Sequence, residues 1–294
     1  MGDEVLYMNE QNIHWFPGHM QKALRQIETK LKIVDVVIEL ADSRAPLYST
    51  RNPMIEEKIA NKQKLLVLTK LDLADESRVS RSIEQLKTQY DIVLAGNLND
   101  KNFIRQIKVA VKKLGEPVHL KQKAKLIKPQ ALKVIILGIP NVGKSTLINK
   151  LAKRRAAGVE NRPGFTKAQQ FIKVDQDFIL IDTPGVLPPN YENKLAVLNL
   201  ALLGSIPQDI LPLHDLALYL GDFLIKNYPH LLTARFDLSP QHLIDTEQLF
   251  MQIAIRRGLN DGGVFNTDKA EVLLLNEFKN GVLGRITLGE DNAQ

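Results

Sequence analysis

In the first two thirds of the chain, polar and charged stretches are broken by short runs in which nearly every residue is apolar. Lys64-Leu65-Leu66-Val67-Leu68, Ile92-Val93-Leu94, Lys133-Val134-Ile135-Ile136-Leu137 and Phe178-Ile179-Leu180-Ile181 are such runs. They lack the in-out alternation of a half-exposed strand and suit strands covered on both faces. Ser145-Thr146-Leu147-Ile148-Asn149-Lys150-Leu151 opens a helix after the loop that follows the third run. From about residue 193 the character changes: residues 195–203 and 215–220 begin helical stretches, and Pro207, Pro212, Pro229 and Pro240 break them. Residues 245–257 read as a further helix, with Leu249 and Phe250 on its apolar face. Strands alternating with helices, followed by helices alone, predict an α/β domain with a mostly parallel sheet and then a smaller all-α domain. The expected divisions are a helical extension over residues 1–30, an α/β domain over 31–190 and a helical domain over 195–288.

The loops that follow the strand runs carry the candidate chemistry. Gly138-Ile139-Pro140-Asn141-Val142-Gly143-Lys144-Ser145 fits G-x-x-x-x-G-K-[ST], and its setting between a strand and a helix is the one that a phosphate-binding loop requires. In such a loop the glycines and Val142 let backbone amides turn toward a β-phosphate, Lys144 reaches the β and γ oxygens, Ser145 offers a hydroxyl to Mg²⁺, and Thr146 continues the phosphate cradle. Thr166, in Arg162-Pro163-Gly164-Phe165-Thr166, is the candidate switch threonine for Mg²⁺ and the γ-phosphate. Asp182-Thr183-Pro184-Gly185 follows the last strand run; Asp182 can hold Mg²⁺ through water and the Gly185 amide can bond a γ-phosphate oxygen.

A base-reading motif, Thr69-Lys70-Leu71-Asp72, ends the first of these runs. The Asp72 carboxylate can accept from guanine N1 and N2, a donor pair that adenine lacks, while Lys70 lies over the base. GTP is therefore expected over ATP. Ala95-Gly96-Asn97 supplies a candidate amide for guanine O6, although as a sequence it is also an ordinary turn. Where Asn is usual, Thr69 lacks the amide that ties the base loop to the phosphate loop, and somewhat weaker nucleotide binding is expected. The base motif precedes the phosphate loop, the reverse of an ordinary small GTPase, so the fold is expected to be a circularly permuted P-loop GTPase domain.

Together with Trp15-Phe16-Pro17-Gly18-His19-Met20, Asp42-Ser43-Arg44-Ala45-Pro46 and Arg51-Asn52-Pro53, these motifs resemble the circularly permuted ribosome biogenesis GTPase A family (the RbgA/YlqF type) over nearly the whole chain. The resemblance implies GTP hydrolysis coupled to late maturation of the large (50S) ribosomal subunit. It implies binding to rRNA and the ribosome in the GTP state and release after hydrolysis. It also implies a catalytic role for His19, a residue type suited to orienting water near neutral pH and equally suited to capping or packing the first helix. Asn141 resembles the asparagine that binds K⁺ in some permuted GTPases, which makes K⁺ a candidate beside Mg²⁺. The chain departs from the family pattern at Thr69 and at Ala95-Gly96, where a Ser-containing pair is usual. Val186 stands where many GTPases carry a water-orienting glutamine, so slow intrinsic turnover is expected, with stimulation by the ribosome. A nucleotide-gated RNA or protein binding module with incidental hydrolysis is the alternative.

Charge sharpens the expected partner. Residues 1–170 hold 30 Lys and Arg against 17 Asp and Glu, a net of +13, whereas residues 171–294 hold 9 against 16, a net of −7. Within 121–170 there are twelve Lys or Arg and one acid, Glu160, a density that attracts phosphate backbones. Lys121 to Lys128 also reads as a flexible, solvated connection between the permuted halves. Arg256 and Arg257 offer either a local RNA contact or a plain cationic helix end. With no cysteine, disulfides and Cys-zinc sites are excluded. No apolar run approaches the roughly 18 residues of a membrane span, and residues 1–10 carry Asp3 and Glu4 with no apolar core. A cytoplasmic protein is expected, a monomer when free, with no membrane or DNA partner.

Overall fold

A computed structural model describes residues 18–47, 58–152, 171–174, 176–181, 194–206 and 211–289. Two compact units emerge, one spanning Phe16–Pro189 and the other built on Asn190–Gln294.

The first unit is organised by a sheet whose order is β3-β2-β1-β4-β6-β5, from β1 (Val36–Asp42), β2 (Gln63–Thr69), β3 (Ile92–Ala95), β4 (Leu132–Gly138), β5 (Phe171–Lys173) and β6 (Phe178–Ile181). All neighbours pair parallel except β5 with β6. Every residue of β1 is buried, including Glu39, which accepts from the Tyr90 hydroxyl at 2.7 Å, so the strand has no exposed face on which polar residues would alternate. Helix α1 (Gly18–Leu31) lays Leu24, Ile27 and Leu31 on Val37, Ile135, Leu137 and Ile181. It therefore belongs to this core and does not stand apart as an extension. Helix α2 (Glu76–Leu86) covers the same sheet face farther along, with Val79 and Leu86 against Ala41, Leu66 and Leu68. The other face is covered by α3 (Lys101–Ala124) and α4 (Lys144–Ala152).

Chemistry at the helix ends explains where α2 and α3 begin. The Asp75 carboxylate accepts from the Ser77 amide at 2.9 Å, and that of Asp100 from the Asn102 amide at 2.8 Å, each satisfying a donor that the first turn leaves open. Helix α3 corrects one expectation. Residues 121–124 form its last turn, closed by Lys125 N to Lys121 O at 3.3 Å and Leu126 N to Lys123 O at 2.9 Å, with His119 Nε2 3.1 Å from Gln130 O. The first half of Lys121 to Lys128 is thus helix, and Lys125 to Lys128 follow it as exposed chain. The exposed last turns of α3 lack the apolar stripe by which a buried helix is read.

The second unit contains α5 (Lys194–Leu202), α6 (Leu213–Asn227), α7 (Pro229–Phe236), α8 (Thr246–Arg257) and α9 (Thr267–Lys279), with a small hairpin of β7 (Asn260–Asp261) and β8 (Val264–Phe265) before α9. Residues 196–202 of α5 are all buried, as expected of a helix apolar all round. Pro212 precedes α6 and Pro229 sits in the first turn of α7, where a missing N–H costs nothing. Glu277 is buried and takes a two-pronged Arg235 guanidinium at 2.6 and 2.8 Å. Arg257 donates to Arg235 O at 2.7 Å and lies over the Phe236 ring, and Arg256 reaches Asp237 at 3.4 Å. The arginine pair therefore has partners within its own unit at the C-terminus of α8.

Candidate nucleotide site

The chain turns back at the centre of the sheet: β1, β2 and β3 run outward to one edge, then β4, β5 and β6 occupy the other side. In open parallel sheets such a switch point leaves a crevice at the carboxyl ends of the strands, where ligands bind. Both expected motifs sit there, Thr69-Lys70-Leu71-Asp72 after β2 and Gly138 to Ser145 after β4.

Both of the loop's glycines are needed for their backbone. Gly138 has φ 146°, and a Cβ there would lie 2.6 Å from the Leu40 carbonyl oxygen of the adjacent strand. Gly143 has φ 100°, and a Cβ would meet Leu98 at 2.9 Å. Asn141 is also left-handed, at φ 62°. This alternation of backbone hands turns the loop into the curved form whose amides suit an anion. Val142 is buried and contributes its backbone. Ser145 and Thr146 lie exposed in the first turn of α4, where the dipole favours negative charge. The Lys144 ammonium folds back on its own loop, donating to Gly138 O at 3.0 Å and Ile139 O at 2.5 Å. It is thereby already at the mouth of the loop.

The base loop is joined to the phosphate loop directly. The Thr69 hydroxyl lies 2.8 Å from Val142 O and 3.1 Å from Ala41 O, in a buried position. The tether expected to be lost with the missing amide is therefore kept, by a shorter side chain that needs only one proton to reach the loop carbonyl. Lys70 is left-handed at φ 59°, and Asp72 lies exposed in the short 3₁₀ turn Leu71–Leu73.

The third base segment departs from expectation. The Gly96 amide donates to Leu68 O at 3.0 Å, continuing the ladder of β3 on β2, so it is not directed at guanine O6. Ala95 is the last residue of β3 and pairs with Leu68. Gly96 has a steric reason for its identity: a Cβ would lie 2.5 Å from Cδ2 of Phe103, a buried ring on α3.

Thr166, Asp182 and Gly185 lie outside the described residues, as does Val186. His19 is in the first turn of α1, of which the backbone alone is described. The donors expected for Mg²⁺, Ser145, Thr166 and Asp182, are all oxygen and suit a hard cation. Ser145 is the one among them within the described residues, exposed next to the phosphate loop.

Sequence reasoning passed over Asp42 and Arg44 as parts of the site. Asp42 ends β1 beside Thr69, is 1% exposed, and bonds Arg44 and Lys70. Burial pushes its carboxyl up, but the charge and hydrogen bond of Arg44, then those of Lys70, more than offset this and hold it below the usual carboxylate value of 3.8. The available signal was an Asp-x-Arg closing a strand that is apolar but for Glu39, since charges so placed are buried and must be paired.

Known proteins similar to the chain fit this geometry. A family described as 50S ribosome-binding GTPase matches residues 133–222. A Bacillus cereus protein named Ribosome biogenesis GTPase A is 45% identical over 94% of this chain and 93% of its own length. A Bacillus pumilus protein of the same name is 43% identical over 94% of this chain and 97% of its own. Mitochondrial ribosome-associated GTPase 1 of Xenopus tropicalis is 36% identical, covering 83% of this chain and 80% of its own. Among solved structures, GNP-bound YlqF from T. maritima superposes with TM-score 0.60 at 24% identity, over 92% of this chain and 99% of that one, a likeness of fold.

Proposed function

The chain belongs to the ribosome biogenesis GTPase A family, and from that premise we propose that it hydrolyses GTP as an assembly factor in late maturation of the large ribosomal subunit. It binds the precursor particle through rRNA in the GTP state and leaves after hydrolysis. The observation that carries this reading is the Thr69 hydroxyl on Val142 O, which joins a guanine motif to a phosphate loop across the switch point of the sheet.

The roles follow from the chemistry of each group. The Asp72 carboxylate accepts from guanine N1 and N2, and Lys70 covers the base. The loop amides around Val142 and Gly143 hold the β-phosphate, and the Lys144 ammonium leaves its loop carbonyls for the β and γ oxygens. Ser145, Thr166 and Asp182 are the groups that would hold Mg²⁺, which when bound neutralises charge developing on the phosphate oxygens. In the reaction, water oxygen bonds to the γ-phosphorus as the bond to the bridging oxygen breaks, giving GDP and phosphate. Val186 cannot hold that water, and we assign the task to His19. Asn141 is the group for K⁺. The helical unit follows the Asp182-Thr183-Pro184-Gly185 segment in the chain, so a change of nucleotide can pass to it covalently.

The test is GTP turnover in K⁺ and Mg²⁺ with and without purified large ribosomal subunits. A slow basal rate raised many-fold by the particles is expected, with the stimulation lost in His19→Ala and the rate reduced when Na⁺ replaces K⁺ at equal ionic strength. A rate indifferent to mature and precursor particles alike would reject the assembly role in favour of a binding module whose hydrolysis is incidental.

A further inference from the structure

The side chain that covers the base is held from behind. Lys70 Nζ lies 2.8 Å from Asp42 Oδ2, although the Lys70 side chain is still 29% exposed. The same carboxylate is gripped by Arg44, with Nε at 3.0 Å from Oδ1, a terminal nitrogen at 2.9 Å from Oδ2, and the Arg44 amide at 3.0 Å from Oδ1. Asp42 and Arg44 are 1% and 3% exposed, so neither can face a ligand directly. At its other end Lys70 starts from a left-handed backbone (φ 59°, ψ 36°), which points its stem away from the path of β2. The strand register sets the spacing, since Asp42 pairs with Thr69 and the Ser43 amide donates to Thr69 O at 2.9 Å.

We propose that Asp42, locked by Arg44, is a positioning residue for guanine-nucleotide binding: it fixes the Lys70 side chain in the place from which it covers the base. A free lysine side chain has large rotamer freedom, and a ligand that must immobilise it binds more weakly. Here the ammonium is anchored before the nucleotide arrives. Asp42 itself touches no ligand, and its buried charge is matched by two cations instead of being spent on one.

The inference rests on the reading that Lys70 covers guanine, and the experiment separates the two. Binding of N-methylanthraniloyl-GDP in Mg²⁺ is titrated by fluorescence for the full chain, Asp42→Asn, Lys70→Met and the double variant, with far-UV circular dichroism and urea unfolding of each. Asp42→Asn should weaken binding by about two- to twelve-fold, the equivalent of freezing one rotamer-rich side chain on binding. In the Lys70→Met background the same change should do nothing further. Because Asp42 does not act on Asp72, the ratio of GDP to IDP affinity should stay at the wild-type value in Asp42→Asn while both affinities fall. In turnover, KM for GTP should rise with kcat kept.

An equal loss in both backgrounds, or an altered GDP to IDP ratio, would overturn the positioning role and make Asp42 a support of the whole loop. Full affinity in Lys70→Met would instead overturn the premise about the base, and the inference with it. If Asp42→Asn does not fold, Arg44→Lys takes its place: it retains the charge, loses the two-pronged grip on Asp42, and should show the same dependence on Lys70. Arg44→Lys binding nucleotide as tightly as wild type would count against the proposal.

Discussion

Placing a serine at position 96 should harm this protein, because a glycine and a phenylalanine have been fitted to each other. A Cβ on Gly96 would lie 2.5 Å from Cδ2, 2.6 Å from Cγ and 2.7 Å from Cε2 of Phe103, all atoms of one ring edge. Carbon atoms rest at about 3.5–4.0 Å, so roughly 1 Å must be absorbed. The ring cannot absorb it by swinging out, since Phe103 is 4% exposed in the first turn of α3, nor can Gly96, whose amide and carbonyl bond Leu68 and Leu71. Overpacking of this kind costs about 1–3 kcal/mol. For a unit of this size each kcal/mol moves the melting temperature by about 2–4 °C. Gly96→Ser should therefore melt several degrees below wild type by circular dichroism. Phe103→Leu alone should also destabilise, by removing packed volume. The double variant should be more stable than the sum of the two predicts, by about 1 kcal/mol or more in a double-mutant cycle. Strict additivity, or a Gly96→Ser protein as stable as wild type, would refute the fitted-pair reasoning.

Three further outcomes are expected. Thr69→Val keeps the shape and removes the donor, leaving the Val142 carbonyl without its hydroxyl; loss of about 1–3 kcal/mol in urea unfolding and weaker GDP binding are expected, with Thr69→Ser near wild type, and a Thr69→Val protein indistinguishable from wild type would show that the tether is idle. Gly115→Ala, which at an exposed helix position would stabilise by about 1 kcal/mol, should destabilise here, because its Cβ would fall 2.0 Å from Leu132 Cδ1; a gain in urea midpoint would contradict this. The Asp222 carboxyl is raised above 3.8 by partial burial, opposed by Lys226 and reinforced by Asp245. The folded chain therefore holds that proton more tightly than the unfolded one, and the favourable contribution present at low pH is lost as pH rises through the folded value. Asp222→Asn should melt higher than wild type at pH 7, with the advantage vanishing below pH 3.8, and no advantage at pH 7 would contradict the assignment.

How far the sequence could be read depended on the range of the interaction. Strands β2, β4 and β6 were visible because each is largely buried on both faces and so appears as an apolar run, and β3, half-buried at the sheet edge, was visible as the short run Ile92-Val93-Leu94. The phosphate loop was visible because its glycine and lysine positions are set by local backbone geometry. The Thr69 tether was not, since its acceptor lies 73 residues away and nothing local distinguishes a threonine that reaches a loop carbonyl from one that does not. Asp42 was hidden for the same reason: its partner Lys70 is brought alongside by the pairing of β1 with β2. The bond of the Gly96 amide to Leu68 O was not legible because the ladder of β3 on β2 extends past the apolar run Ile92-Val93-Leu94.

The reversed chain order is compatible with a working site because the site is built from strand ends. β1 pairs with β4 from Val36 opposite Val134 to Leu40 opposite Gly138, and this ladder brings the two loops together. Gly138 is needed at its end because the Leu40 carbonyl occupies the space of a side chain. Once that ladder and the Thr69 bond form, base loop and phosphate loop meet at the switch point whichever half is synthesised first. What the order changes is the sequence that follows each loop. Here the Asp182-Thr183-Pro184-Gly185 segment, proposed to meet the γ-phosphate, is followed by the helical unit, whereas in the usual order it would be followed by the base-reading strands. Nucleotide that bridges the two halves binds the assembled fold and not the open chain, so at 100 times its Kd it stabilises the α/β unit by about 2.7 kcal/mol. The permutation thus keeps both loops at the switch point and changes which part of the chain follows the segment proposed to meet the γ-phosphate.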